Sequence, residues 1–342
     1  MNKFYQIIFL IGSVFFFTTC LDEIDIDPPP TIPLLTISGN IYDVPGPYTI
    51  TVQQSANFSS GADGLFRPVT DATIKLVSDA GEEEILTELP MGVYVSDANG
   101  IRGTIGRTYH LEIETGGQTY QSIPEYLHPV ISPQSIDIEV STEEEINEAG
   151  NFVERDNVSF FINTNIPNER SFLKWNSFGI YEFIEIGLDG RICYVTEDID
   201  LDIVVVVDSE NIATDLLEKQ KINERPINDR FSARYCVNII QQSITERAYN
   251  FWSTVAEEFE RSGGIFESPP GKIQGNIFNV ADESEVVLGY FSASAVDTIR
   301  RLIQPSEVGI PRPLCRFNRQ DDVCTNCLLI PKSTQEKPPC WR

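Results

Sequence analysis

Histidine is almost absent: His110 and His128 are the only two in 342 residues. Neither belongs to a His-Glu-x-x-His run, so the common helical zinc-hydrolase motif is missing. His110 lies in an apparent strand, where a half-buried structural role is expected, and His128 precedes Pro129. A Gly-x-Ser-x-Gly nucleophile elbow and a glycine-rich phosphate loop are also lacking, which removes two strong signals for serine hydrolysis and nucleotide binding. Positive charge is scarce, with 25 Lys and Arg against 51 Asp and Glu and a net charge of −26. Such a surface disfavours nucleic acid, which needs cations to neutralise phosphates, and offers no basic patch to anionic lipid. No second long apolar run follows the first seventeen residues, so the body of the chain carries no helical membrane span by hydropathy. A glycosidase-like carboxylate pair is permitted by any chain this acidic, and permission is not a signal. No cofactor, no metal site and no catalytic residue is expected.

What is present begins with an address. Lys3, an apolar run from Ile7 to Phe17, and Thr18-Thr19-Cys20 have the layout of a signal peptide over residues 1–19. Cys20 at the end of that run resembles a bacterial lipobox cysteine, which would be lipidated and become the first mature residue. The acidic run Leu21-Asp-Glu-Ile-Asp-Ile-Asp27 resembles the surface-export signals of Bacteroidota lipoproteins. Asp27-Pro-Pro-Pro-Thr-Ile-Pro33 completes a tether over residues 20–34, extended because proline fixes φ and removes donors. Removing residues 1–19, which hold one lysine and no acid, takes the charge to −27.

From Leu35 the pattern becomes short alternating runs: Thr36–Tyr42, Tyr48–Val52, Ala72–Val77, Gly92–Val95 and Thr108–Ile113. Turn residues separate them, as in Val44-Pro-Gly-Pro47 and Gly116-Gly117, and this regularity predicts an antiparallel β-sandwich over 35–125. Three prolines between Ser122 and Pro133 mark a boundary, and a second β-rich domain is expected over 126–342. Within it Ile136–Val140, Val158–Ile162 and Phe172–Trp175 read as strands, with the acidic 143–150 segment as a solvated hairpin or loop. Asp198, Asp200 and Asp202 would share an exposed strand face, Ile203–Val207 reads as a buried strand, and Ala213–Lys221 as a short helix.

Ser243 and Glu246 form a capping-box pattern, so a helix is expected from about 243 to 262. Ala248, Phe251, Trp252, Val255 and Phe259 recur at helical spacing, while Arg247, Glu257 and Glu260 stay wet. Gly263-Gly264 would end it, and the loop through Pro269-Pro270 is either a contact surface or a structural turn. The expected fold class is mainly β, an N-terminal sandwich followed by a β-rich domain braced by one amphipathic helix. Of the tryptophans, Trp252 is expected in the core and Trp341 over the neighbouring bridges, with an aromatic sugar- or peptide-binding platform as the competing use.

Six cysteines remain beside Cys20: Cys193, Cys236, Cys315, Cys324, Cys327 and Cys340, the last four in a tail over 315–342. An even number in an exported chain favours disulfides. Six cysteines allow fifteen pairings, and the expected one joins Cys193 to Cys236 and leaves the tail two local bridges. A four-thiolate zinc site from the tail cysteines is the competing reading.

Val44-Pro-Gly-Pro-Tyr-Thr-Ile, Gly92-Val-Tyr, Gly106-Arg-Thr-Tyr-His-Leu, Gly275-Asn-Ile and Gly289-Tyr-Phe-Ser-Ala-Ser together resemble a Bacteroidota lipoprotein family known as domain of unknown function four-two-four-nine. The earlier part of that series also resembles transthyretin-like and carboxypeptidase-regulatory-like modules. The family resemblance implies a place beside TonB-dependent receptors in the outer membrane, facing outward, and implies no catalytic residues. The expected role is therefore a non-catalytic accessory that captures cargo for such a receptor or gates it. A structural or adhesive envelope protein and a secreted hydrolase are the alternatives.

Overall fold

The computed structural model describes residues 33–55, 66–147, 150–166, 169–186, 190–199, 203–260, 273–315 and 321–341. The signal segment, Cys20, most of the tether, Asp200, Asp202 and the Gly263–Pro270 loop lie outside the described residues.

The first half is a sandwich of two sheets. Leu35–Tyr42, TISGN-like in its alternation, buries Leu35, Ile37 and Ile41 and leaves the intervening residues half-exposed. Thr108–Thr115 does the same with Tyr109, Leu111 and Ile113. A period-two pattern of this kind commits one face of each strand to a shared core. That core holds Ile50, Val52, Ile74, Leu76 and Tyr94 from both sheets. Two buried tyrosines tie down the loops around it. Tyr94 Oη accepts from Ala72 N and donates to Val69 O, and Tyr109 Oη accepts from Thr104 N at 2.8 Å.

The sandwich is not completed by residues 35–125. Ile277–Asn279 forms the edge of one sheet against Gln118–Ser122, and Phe291–Ser294 forms the edge of the other, parallel to Leu35–Tyr42. The expected all-antiparallel sandwich thus contains one parallel pair, because a strand returning from the far half enters beside the first strand in the same direction. Glycine makes this crossing possible. A Cβ on Gly275 would stand 1.4 Å from the Gly289 carbonyl oxygen, and Gly289 has φ +88°. The chain then runs from Ser294 through Ala295 directly into Val296–Ile303, an edge strand of the second half.

In the second half, a three-stranded sheet orders Pro133–Ile146, Phe152–Asn165 and Leu216–Pro226. A larger sheet orders Val296–Ile303, Tyr235–Ile244, Phe172–Ile184, Ile192–Asp198 and Ser333–Thr334, with Val205–Asp208 also on the central strand. Val158, Phe160 and Ile162 of the first meet Leu173, Trp175 and Val237 of the second in one core. Leu216–Pro226 overlaps the segment expected as a helix. Its Leu, Glu, Lys and Gln residues have good helix propensity, but pairing with Phe152–Asn165 and burial of Ile222 override it. Ile203–Val207, expected as a buried strand, is strand only from Val205 to Asp208 and is half-buried through Val207, with Ile203 exposed.

The only α-helix among the described residues spans Glu246–Glu260 and packs Ala248, Phe251 and Trp252 against Phe172 and Tyr290. It begins three residues later than expected. Ser243 is still strand, and Thr245 is the cap, its Oγ1 accepting from Ala248 N at 3.2 Å. Phe259, expected on the buried face, is 54% exposed at the helix end. The helix braces the outer face of the large sheet, where Lys174 lies over the Trp252 ring at 4.6 Å.

Candidate functional site

The seam between the halves gathers the most buried polar groups, and Glu125 is its centre. The two-residue strand Glu125–Tyr126 pairs with Thr108–Thr115, which carries Glu125 to the rim of the first sandwich and leaves it fully buried. A buried carboxylate is costly unless its lone pairs are filled. Here Oε1 accepts from Tyr290 Oη at 2.6 Å, Asn276 Nδ2 at 3.3 Å and Arg247 Nη1 at 3.3 Å, and Oε2 accepts from Thr245 Oγ1 at 2.5 Å. Burial pushes the Tyr290 phenol far up, and the Glu125 charge and hydrogen bond add to that. Tyr290 therefore stays a proton donor throughout the ordinary pH range. Asn276 also pairs with Phe291 on both its amide groups, Nδ2 donating to the carbonyl and Oδ1 accepting from N–H. One carboxylate thus fastens the first sandwich, the helix start and both returning strands.

Beside this node the connecting segment 128–131 is pinned to the second half. Ser243 Oγ donates to His128 O at 2.6 Å, and Gln241 Nε2 donates to Ile131 O at 2.6 Å while its Oε1 accepts from Trp175 Nε1. A cleft of about 360 Å³ opens there, with Pro129, Ile131, Phe172 and Ile244 as apolar wall and His128, Arg170 and Glu246 as polar wall. Arg170 is held by Asp208 at 2.7 Å, Glu210 at 3.2 Å and Glu246 at 3.1 Å, and stacks over Phe172 at 4.9 Å. The Arg170 hydrogen bond holds the Asp208 carboxyl below its usual range against the opposing effect of burial. Burial pushes the pKa of the His128 imidazole below its usual value, against the opposing charge of Glu125. Ser243 gives its proton to a backbone carbonyl, an arrangement that does not raise its nucleophilicity. The cleft can hold a small amphipathic group, and its strongest charges are already engaged with each other.

The sequence pointed to cysteines rather than to this seam. All six form bridges: Cys193–Cys327, Cys236–Cys340 and Cys315–Cys324. The expected Cys193–Cys236 pairing is corrected by sheet register. Cys193 stands opposite Phe183 and Cys236 opposite Ile180, on the two different neighbours of the central strand. Two strand spacings put them roughly 9–10 Å apart before the offset along the strand, and the odd spacing of residues 180 and 183 points them to opposite faces. The tail instead straddles the sheet edge. Cys327 bonds on one face, Ser333–Thr334 pairs with the edge strand, and Cys340 bonds on the other. Only Cys315–Cys324 is a bridge local to the tail. Trp341 covers the second bridge and meets Tyr194 edge-on at 5.0 Å. Trp175 is buried and hydrogen-bonded. Asp198 pairs with Lys332. His110 is half-buried beside Glu112 at 3.7 Å. Among the described residues no group of three or more His, Cys, Asp or Glu could hold a metal ion, and no helix is long and apolar enough to cross a membrane.

Residues 21–300 match a family described as a domain of unknown function (DUF4249). The chain belongs to that family. The DUF4249 match takes in both halves and ends within the strand Val296–Ile303, ahead of the four tail cysteines. Among curated proteins none matches the chain. The seam residues were missed because Glu125, Asn276 and Tyr290 look unremarkable apart; the glycines flanking Asn276 and Tyr290 were the available signal.

Proposed function

We propose that this protein is an outer-membrane lipoprotein, anchored through Cys20 and facing outward, that serves a TonB-dependent receptor as a non-catalytic accessory, capturing cargo or gating access. The observation that carries this reading is a stiff body on a short leash. The first strand begins at Leu35, where Leu34 N already donates to Ser55 Oγ at 2.8 Å, fifteen residues after Cys20. At roughly 3.3–3.6 Å per residue that tether reaches about 50 Å at most. Glu125 and the strands between Ile277 and Ile303 tie the halves together, so displacement would occur about the tether and move the body as one piece, as a lid requires. Arg170 and Glu125 have spent their hydrogen bonds on structure, which favours a scaffold over a reaction centre. A Cys20→Ala variant is expected to leave the outer-membrane fraction, and protease added to intact cells is expected to remove a C-terminal tag from the wild type. Retention of the variant in that fraction, or full protection of the tag, would contradict the reading.

A further inference from the structure

The hairpin of Pro133–Ile146 and Phe152–Asn165 is longer than the sheet it belongs to. Its third strand, Leu216–Pro226, accompanies Phe152–Asn165 only from Asn157 onward. Five cross-strand pairs, from Thr142↔Asp156 to Ile146↔Phe152, therefore project as a bare two-stranded ribbon of roughly 17 Å. An unsupported ribbon is marginal in water, yet this one is held in register. Asn147 N donates to Asn151 O at 2.9 Å across the turn, Thr142 Oγ1 donates to Asp156 at 2.7 Å, and Glu145 pairs with Arg155.

The two faces of the ribbon differ. One carries Glu143, Glu145 and Arg155, whose charges meet within the ribbon or reach Asn157. The other continues the face that buries Val158 and Phe160 in the core, and beyond the core it presents Glu144 directly opposite Glu154, then Ile146 directly opposite Phe152. Like charges placed opposite each other are destabilising, and among the described residues neither glutamate makes an ion pair. Ile146 is 64% and Phe152 75% exposed. An apolar pair at a protruding tip with an unneutralised acid pair behind it is costly in the free protein on both counts.

We infer that this face is a docking finger for a partner protein that offers an apolar socket with a lysine or arginine at its rim. The socket takes Ile146 and Phe152, and the cation lies between Glu144 and Glu154. Charge selects this occupant: an anionic lipid surface and a second copy of this chain, with its own acid pair, would both be repelled. The inference deepens the receptor reading, on which the identity of the partner rests.

The test places a photo-cross-linking benzoyl-phenylalanine at position 152 in intact cells, with the same group at exposed Leu89 on the first sandwich as control. The expected result is one protein adduct from position 152 and none from 89, mapped to a peptide bearing a basic residue and reduced at least tenfold by Glu144→Lys/Glu154→Lys. Ile146→Ser/Phe152→Ser should likewise reduce co-purification of that protein at least tenfold, with the thermal midpoint of the purified variant unchanged. If the adduct obeys the charge reversal but is not a β-barrel receptor, the docking finger stands and the receptor reading falls. Cross-links to lipid, to a second copy, to nothing, or equally from position 89, or an adduct indifferent to charge reversal, overturn the finger; a receptor that still accompanies the wild type would then leave the receptor reading intact.

Discussion

Removing the bridge on the outer face of the large sheet, with Cys236→Ala/Cys340→Ala, isolates what the tail contributes. The two cysteines are 104 residues apart, but the Cys193–Cys327 bridge already shortens the path between them. Through it, the loop consists of the 43 residues from Cys193 to Cys236 and the 13 from Cys327 to Cys340, about 56 in all. The chain-entropy relation gives about 4 kcal/mol at 25 °C for such a loop, and bridges typically contribute about 2–4 kcal/mol. Alanine at buried Cys236 adds little, so a loss of about 3–4 kcal/mol is expected in urea unfolding followed by fluorescence of Trp341 and its neighbours. Limited proteolysis should cut the variant beyond Thr334 while leaving the Cys193–Cys327 linkage in non-reducing peptide maps. A loss below about 1 kcal/mol, or a map of the wild type in which Cys193 is joined to Cys236, would refute this account of the tail.

Glu125→Ala is expected to destabilise by about 2–4 kcal/mol, because it takes the acceptor from the buried hydroxyl of Tyr290 and the part-buried hydroxyl of Thr245, whereas Arg247→Ala, with its side chain 50% exposed, should cost less than about 1 kcal/mol in the same urea titration. Gly275→Ala should cost about 2 kcal/mol or more, since its Cβ cannot coexist with the Gly289 carbonyl, and faster hydrogen exchange at Ile277 and Phe291 should report the opened strands. Asp208 has a folded pKa depressed below 3.8, so its pairing with Arg170 stabilises fully above that value and is lost as pH falls through the folded pKa. Asp208→Asn should therefore be less stable than wild type at pH 7, with the gap closing below about pH 4 in pH-dependent urea unfolding.

Where one face of a strand is buried, the alternation was readable: Leu35–Tyr42 and Thr108–Thr115 fall within two residues of expectation. The helix was readable from its apolar stripe, but not its start, because Tyr235–Ile244 remains strand until the residue before Thr245. Leu216–Pro226 was misread since its own propensities oppose the pairing that its neighbour imposes. Register between strands distant in sequence carries no local signal, so neither the bridges nor the return of Ile277–Asn279 and Phe291–Ser294 into the first sandwich could be read. The candidate site shares that fate: Glu125, Thr245, Asn276 and Tyr290 become a site only when four separate segments meet. The acidic 143–150 segment was legible only as a solvated hairpin or loop, and its two unlike faces required the register of Glu144 with Glu154.

The most direct test of the receptor reading is purification of the tagged full-length protein from native outer membrane in mild detergent, with mass spectrometry of what accompanies it. The account predicts a β-barrel TonB-dependent receptor in near-equal amount with the bait. An intact bait that repeatedly comes alone from wild-type membranes would contradict it.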